Sequence, residues 1–293
     1  MKILNRKINA SKIVLVFSSV YIGLSFVLYY AIDLKNLFGL RDWLLNTEGV
    51  YFYFTYTPFF FQHYGRDGGF AEVVQWLLLA LAIAISLYYA GKTSANKKLS
   101  AFLLIFGLGM MLMLLEDAGE LRHIFMSYIQ WAAGEADQGL YGTAFEAIFF
   151  VILGGLPVYA FWRYGSSVLD YGKTYLYVLL GIISHAIAAG LSFVGTAFQM
   201  TVDVDVYSKM GELFREYSIR IGGEELRLIW DTWDAENWLY QTNFYLMDSF
   251  VEENIELLGN AFFLAALLSF AAICSKSNDK TQEKTTESNV KPN

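Results

Sequence analysis

The chain is poor in the residues that many folds and chemistries rely on. Its one cysteine, Cys274, excludes an internal disulfide and a thiolate metal site. Three prolines in 293 residues leave long stretches with no helix breaker. Only three histidines are present, and no candidate helix carries two of them, which argues against a bis-His haem. There is no Walker loop, Gly-rich dinucleotide fingerprint, His-Glu-x-x-His or Gly-x-Ser-x-Gly. Lys and Arg form no basic stripe and the net charge is −7, so the sequence speaks against a nucleic-acid partner. The apolar runs also lack arginine, which excludes a voltage sensor of the usual kind.

What is abundant is apolar and aromatic side chain, 56% and 17% of residues, segregated into long runs. A helix needs about 20 predominantly apolar residues to cross a bilayer. Six runs meet that need, at about residues 13–32, 70–90, 99–120, 143–162, 174–198 and 253–274. The first follows Lys2, Arg6, Lys7 and Lys12 but has no small-residue cleavage site, and reads as an uncleaved signal anchor. The fold class expected is an all-α polytopic membrane protein, with residues 1–274 as one helical domain. The polar tail, 275–293, has almost nothing to bury and is expected to be a disordered cytoplasmic tail.

Charge distribution sets direction. With the N-terminus inside, 13 of the 21 Lys and Arg fall in short inner segments, including Lys92, Lys97 and Lys98 in one acid-free turn. The positive-inside rule is then satisfied by all six spans, with both termini cytoplasmic in a cell membrane. Two outer segments are long. Residues 33–69 are crowded with Phe, Tyr and Trp, and Pro58 is expected to bend a re-entrant or interfacial element there. Residues 200–251 are acidic and read as two helices broken at Gly222-Gly223, with Trp230, Trp233 and Trp238 lying on the membrane or capping the bundle. This acidic loop is also the surface a membrane or envelope partner would use.

Ionisable groups at the edge of a span are costly and need a reason. Glu72, Glu146 and Glu252 stand at the expected outer starts of descending helices. Thr143 to Glu146 and Ser249 to Glu252 have capping-box spacing, and Gly69 to Glu72 repeats it with Gly as the cap. A carboxylate is welcome at the positive end of the helix dipole, so capping is the plain reading of these three. Glu116, Glu120 and His123 resist it, because they end a helix and face the negative end of its dipole. Their i, i+4, i+7 spacing puts them on one face, with Asp117 off it. Glu120 to His123 is a Glu-x-x-His pair, the spacing with which helices present two ligands to a carboxylate-bridged metal, though only one copy occurs.

Glu256 lies roughly 6 Å into the sixth span, between Glu252 and Asn260 on a polar stripe. A carboxylate at that depth should face other helices or a cavity. His185, near the middle of the fifth span among Gly181, Ala188, Ala189 and Ser192, reads as a hydrogen-bonded packing residue or as a ligand at a cavity floor.

Three functions follow from these residues. One is an outward-facing metal or cation site of Glu116, Glu120, His123 and Glu256, with Glu253, His185, Glu146 and Glu72 as further members. Carboxylate and imidazole without thiolate suit a divalent metal such as Zn, Mn or Fe, with Glu256 as ligand or general base. The second is a proton- or cation-coupled transporter, for which Gly154-Gly155 and Pro157 would interrupt the fourth span. The third is a non-catalytic scaffold, sensor or accessory subunit, in which every carboxylate is a cap or a solvated rim. A metal site on the first pattern requires the third and sixth spans to face each other.

Overall fold

The computed structural model describes residues 9–46, 59–65, 68–119, 121–133, 138–202, 206–236 and 241–289. Glu120, Pro58 and Trp238 lie outside them, and of His123 and Glu146 only the backbone is described. Among the described residues the secondary structure is helical, without strands.

Helix α1 (Ala10–Leu28) runs on through a π-helical turn to Leu34. Two short helices follow, α2 (Leu40–Asn46) and α3 (Phe60–Gly65). The hairpin of α4 (Phe70–Lys92) and α5 (Lys97–Gly119) leads into α6 (Leu121–Ala133), then α7 (Gln138–Tyr164) and α8 (Thr174–Val202). Helices α9 (Val206–Gly222) and α10 (Glu224–Glu236) precede α11 (Thr242–Tyr245), which passes through a π-helical segment, Leu246–Glu252, into α12 (Glu253–Asn289). Six of these stretches are long and apolar enough to cross a membrane: Ala10–Leu34, Phe60–Lys92, Lys97–Gly119, Ala147–Val168, Thr174–Phe193 and Thr242–Ser275. The protein is an all-α, multi-pass integral membrane protein.

Packing follows from residue size. Helix α12 is central and packs on α8, α4 and α1, while α4 pairs with α5, α5 with α7 and α7 with α8. Helix α1 buries a serine stripe, Ser11, Ser18 and Ser25, and leaves most of its apolar surface outward, as a lipid-facing helix does. Along the α8–α12 seam the backbones approach closely. A Cβ on Gly181 would stand 2.3 Å from Phe263, and one on Gly259 would stand 2.8 Å from the His185 ring. Aromatic rings fill the deeper core, where Phe106 meets Phe263 edge-on at 5.0 Å between centroids. The third and sixth spans thus touch at depth.

The α3, α9 and α10 segments gather at one end of the bundle, where α1 finishes and α12 begins. The break between α9 and α10 falls at Gly222-Gly223, with Gly223 at φ +87°, a conformation that Gly adopts without strain. Trp230 is fully buried there, edge-on to Phe59, so α10 caps the bundle. Helix α3 is the short extra element of the first long loop, and it is tucked in, with Phe61 and Tyr64 buried. Asp33 holds it: its two carboxylate oxygens accept the N–H groups of Phe60 (2.7 Å) and Phe61 (3.0 Å).

Two expected helix starts are displaced. Helix α7 begins at Gln138 and the last span begins at Thr242, so the capping-box patterns ending at Glu146 and Glu252 fall inside helices. In each case the chain enters its helix about one turn or more upstream of the matching four residues. Ser249 instead donates to Asp248 at 3.3 Å. Glu72 does act near a helix start, accepting the Gly68 N–H at 2.5 Å beside the N-cap Gly69. Helix α7 also stays helical through Gly154, Gly155 and Pro157, without the interruption a transporter reading expects. The helical assignment of α12 extends to Asn289, into the polar residues that composition alone assigns to a disordered tail.

Candidate functional site: a carboxylate-lined cavity within the bundle

Five spans, α4, α5, α7, α8 and α12, form a closed circuit of neighbours, and between them lies a cavity of about 380 Å³. It occupies the half of the bundle nearer the loop-rich end. The last span, from the end of the π-helical segment into α12, supplies its polar edge. Glu252, Glu256, Asn260 and Phe263 all line it, following the one-face spacing of a helix. Opposite them are Glu116 and Asp117 from the last turn of α5. Arg122 of α6 closes the same end. It is ion-paired with Glu116 at 3.4 Å, donates to Ser192 of α8 at 3.2 Å, and lies over the Phe150 ring of α7 at 5.1 Å. One guanidinium therefore ties three helices together around the opening.

The carboxylates differ in what holds them. Glu116 has Arg122, and Asp117 accepts the Trp76 Nε1–H at 2.9 Å. Glu256 makes no hydrogen bond or ion pair among the described residues. The charged groups that act on it are the carboxyls of Asp117, Glu252, Glu116 and Glu253, against the one cation Arg122. The cavity is its open side.

A second set of contacts runs deeper. Gln75 of α4, fully buried, donates from Nε2 to Glu253 Oε2 at 2.6 Å and to the Glu253 carbonyl at 3.0 Å. Its Oε1 accepts a long bond of 3.4 Å from Asn260 Nδ2, and Asn260 Oδ1 lies 2.9 Å from His185 Nε2. The orientations are forced one by one. The Gln75 amide must turn its NH₂ to the Glu253 carbonyl, which can only accept, so Asn260 must turn its NH₂ to Gln75 and its oxygen to His185. His185 Nε2 is then the donor, and Nδ1 holds the lone pair in the neutral ring. The ring stacks on Phe263, centroids 5.1 Å apart.

Of the expected site residues, the structure brings Glu116, Glu256 and His185 to one cavity. Glu253 and Glu72 lie to the α4 side, committed to Gln75 and to the Gly68 N–H. Glu120 lies outside the described residues. No group of three or more His, Cys, Asp or Glu side chains is arranged to hold a metal ion among the described residues. Sequence reasoning set Asp117 aside as off the face of Glu116. The cavity is wide enough that adjacent residues, about 100° apart on a helix, both line it. Arg122 and Gln75 also escaped notice. Their roles come from partners on other helices, and no local spacing announces them.

Compared with known proteins, the chain matches no family model, no curated protein and no solved structure. The site therefore rests on its own chemistry.

Proposed function

We propose that this is a membrane-embedded cation-binding protein and that the cavity is its working site. The observation that carries the reading is Glu256, a carboxylate inside a membrane-spanning bundle, without a hydrogen-bonding or ion-pairing partner among the described residues, and bordered by a cavity. Ionisable groups in such positions are expensive and are retained for ligand, ion or proton handling. The lining includes four carboxyls, Glu116, Asp117, Glu252 and Glu256, against Arg122, which favours a positively charged occupant. A scaffold reading leaves Glu256 unexplained, since among the described residues it accepts no backbone N–H as a cap would and it lines a cavity inside the bundle.

One occupant this reading admits is a divalent metal such as Zn, Mn or Fe. Glu120 and His123, at the α5–α6 junction, would then join Glu116 and Glu256 as ligands. With the termini on the cytoplasmic side, as the lysine distribution argues, the cavity lies toward the outer face.

The test is thermal melting of the purified protein in lipid nanodiscs with Mn²⁺, Zn²⁺ or propylammonium, wild type beside Glu256→Gln. At least one cation should raise the wild-type midpoint in a saturable way, and the variant should lose that rise. If none of the three stabilises the wild type, or if Glu256→Gln responds like it, the cation reading fails.

A further inference from the structure

The shape and lining of the cavity say more about the occupant than its charge does. The reading that follows rests on the cation site proposed above and narrows it. A cavity of about 380 Å³ would hold on the order of ten water molecules, far more room than a bare ion needs. Away from its acidic end the polar lining is limited to Gln75, His185, Asn260 and Ser192, and the α7 wall of Val151, Leu153 and Val158 is apolar. Water stays in a site only where it finds two to four polar partners, and the side chains of the α7 wall offer none. At Gly154 and Gly155, which also line the space, an added Cβ would meet nothing within 4 Å. Val151 is 72% exposed and Val158 49%, so the side chains that line the cavity also reach the lipid-facing surface of α7.

We infer that the cavity takes an amphiphile with a protonated amine head, the ammonium group held at Glu256 and the apolar body lying along the α7 wall past Gly154 and Gly155. The head replaces the counter-charge that Glu256 lacks. The body fills space that neither water nor an ion fills well. The ligand is an alkylammonium compound delivered from the bilayer, in keeping with the exposed valines. Delivery of the same chemistry from water is the other source, and chain length separates them.

The experiment uses the full chain in phosphatidylcholine proteoliposomes and two photoreactive probes, a diazirine-bearing dodecylamine and the matched dodecyl sulfonate. Labelled peptides are mapped by mass spectrometry. The amine should label α7 and α8 at the cavity, and excess unlabelled dodecylamine should compete it away. The sulfonate should label those sites at least tenfold less. Gly155→Phe fills the apolar part without touching a carboxylate and should cut amine labelling at least tenfold, with Gly154→Phe as a second filler should the first misfold. A hexylamine probe that labels as strongly at equal aqueous concentration assigns delivery to water and overturns the bilayer route. Equal labelling by the sulfonate, or unchanged labelling in both fillers, overturns the amphiphile. Cation stabilisation that persists in a filler variant, with no cavity labelling by any amine, overturns the amphiphile and leaves the cation reading standing.

Discussion

Asp33 and Glu256 are both acids within this bundle, and they differ in what surrounds them. Asp33 is fully buried at the end of α1, and each of its oxygens accepts a backbone N–H from the start of α3. Arg41, itself 2% exposed, donates to the Asp33 carbonyl at 3.1 Å and to Glu225 at 2.5 Å, tying α1, α2 and α10 together. Glu256 lies among other carboxyls and faces a cavity. A buried acid whose two oxygens each accept a hydrogen bond fixes a fold. A buried charge with an open side destabilises it, and is retained for what the open side does. Burial alone does not distinguish the two cases, whereas the inventory of partners does.

The largest effect expected from this contrast is at Asp33. Asp33→Ala strips two N–H groups of their acceptors at the start of α3, where Phe61 is fully buried. Each orphaned group costs about 1–3 kcal/mol. The variant should lose about 2–6 kcal/mol of stability by that count, read as a lower melting midpoint in detergent, with proteolysis beginning in the first long loop. A midpoint within a degree or two of wild type would mean that α3 does not depend on this cap.

How much of this was legible beforehand follows from the range over which each signal acts. The six spans could be read because an apolar run of bilayer length is a local property, and the Gly222-Gly223 break because a glycine pair is local too. The stripe of Glu252, Glu256 and Asn260 was legible from helical period alone. What could not be read depends on distance. Asp33 caps a helix 27 residues away, and Gln75 finds Glu253 across 178 residues. The capping-box pattern at Ser249 to Glu252 misled because four residues in the interior of a helix can imitate its start. The dipole argument drew attention to Glu116 for a sound reason, and the structure supplies what that argument lacked, the ion pair with Arg122.

A middle-sized effect is expected where the two classes meet. Gln75→Leu keeps the volume of the side chain but removes the donor to Glu253 and the acceptor for Asn260. Leaving a buried donor or acceptor without its partner costs about 1–3 kcal/mol. His185 should feel the change as well, because the orientation of Asn260 is no longer enforced from the far side. The ring nitrogen shifts of a ¹⁵N-histidine-labelled sample report its tautomer. They should show a single Nε2–H form in wild type and a mixture in the variant. A single unchanged form in Gln75→Leu would break the relay from Gln75 to His185.

The smallest change in stability is expected at Glu256, and it is the most telling. Glu256→Leu removes a carboxylate from a crowd of carboxyls and places an apolar side chain on a partly apolar cavity. No hydrogen-bond partner is orphaned, in contrast to Asp33→Ala. Replacing buried charge by apolar side chains of similar volume is often neutral or stabilising, so the melting midpoint should stay put or rise by the equivalent of about 1 kcal/mol, while the stabilisation by added cation disappears. A loss as large as that of Asp33→Ala would place Glu256 among the structural acids and remove the physical ground for treating the cavity as a site. A stable variant that no longer responds to any cation would confirm that the fold tolerates this acid only for the sake of its ligand.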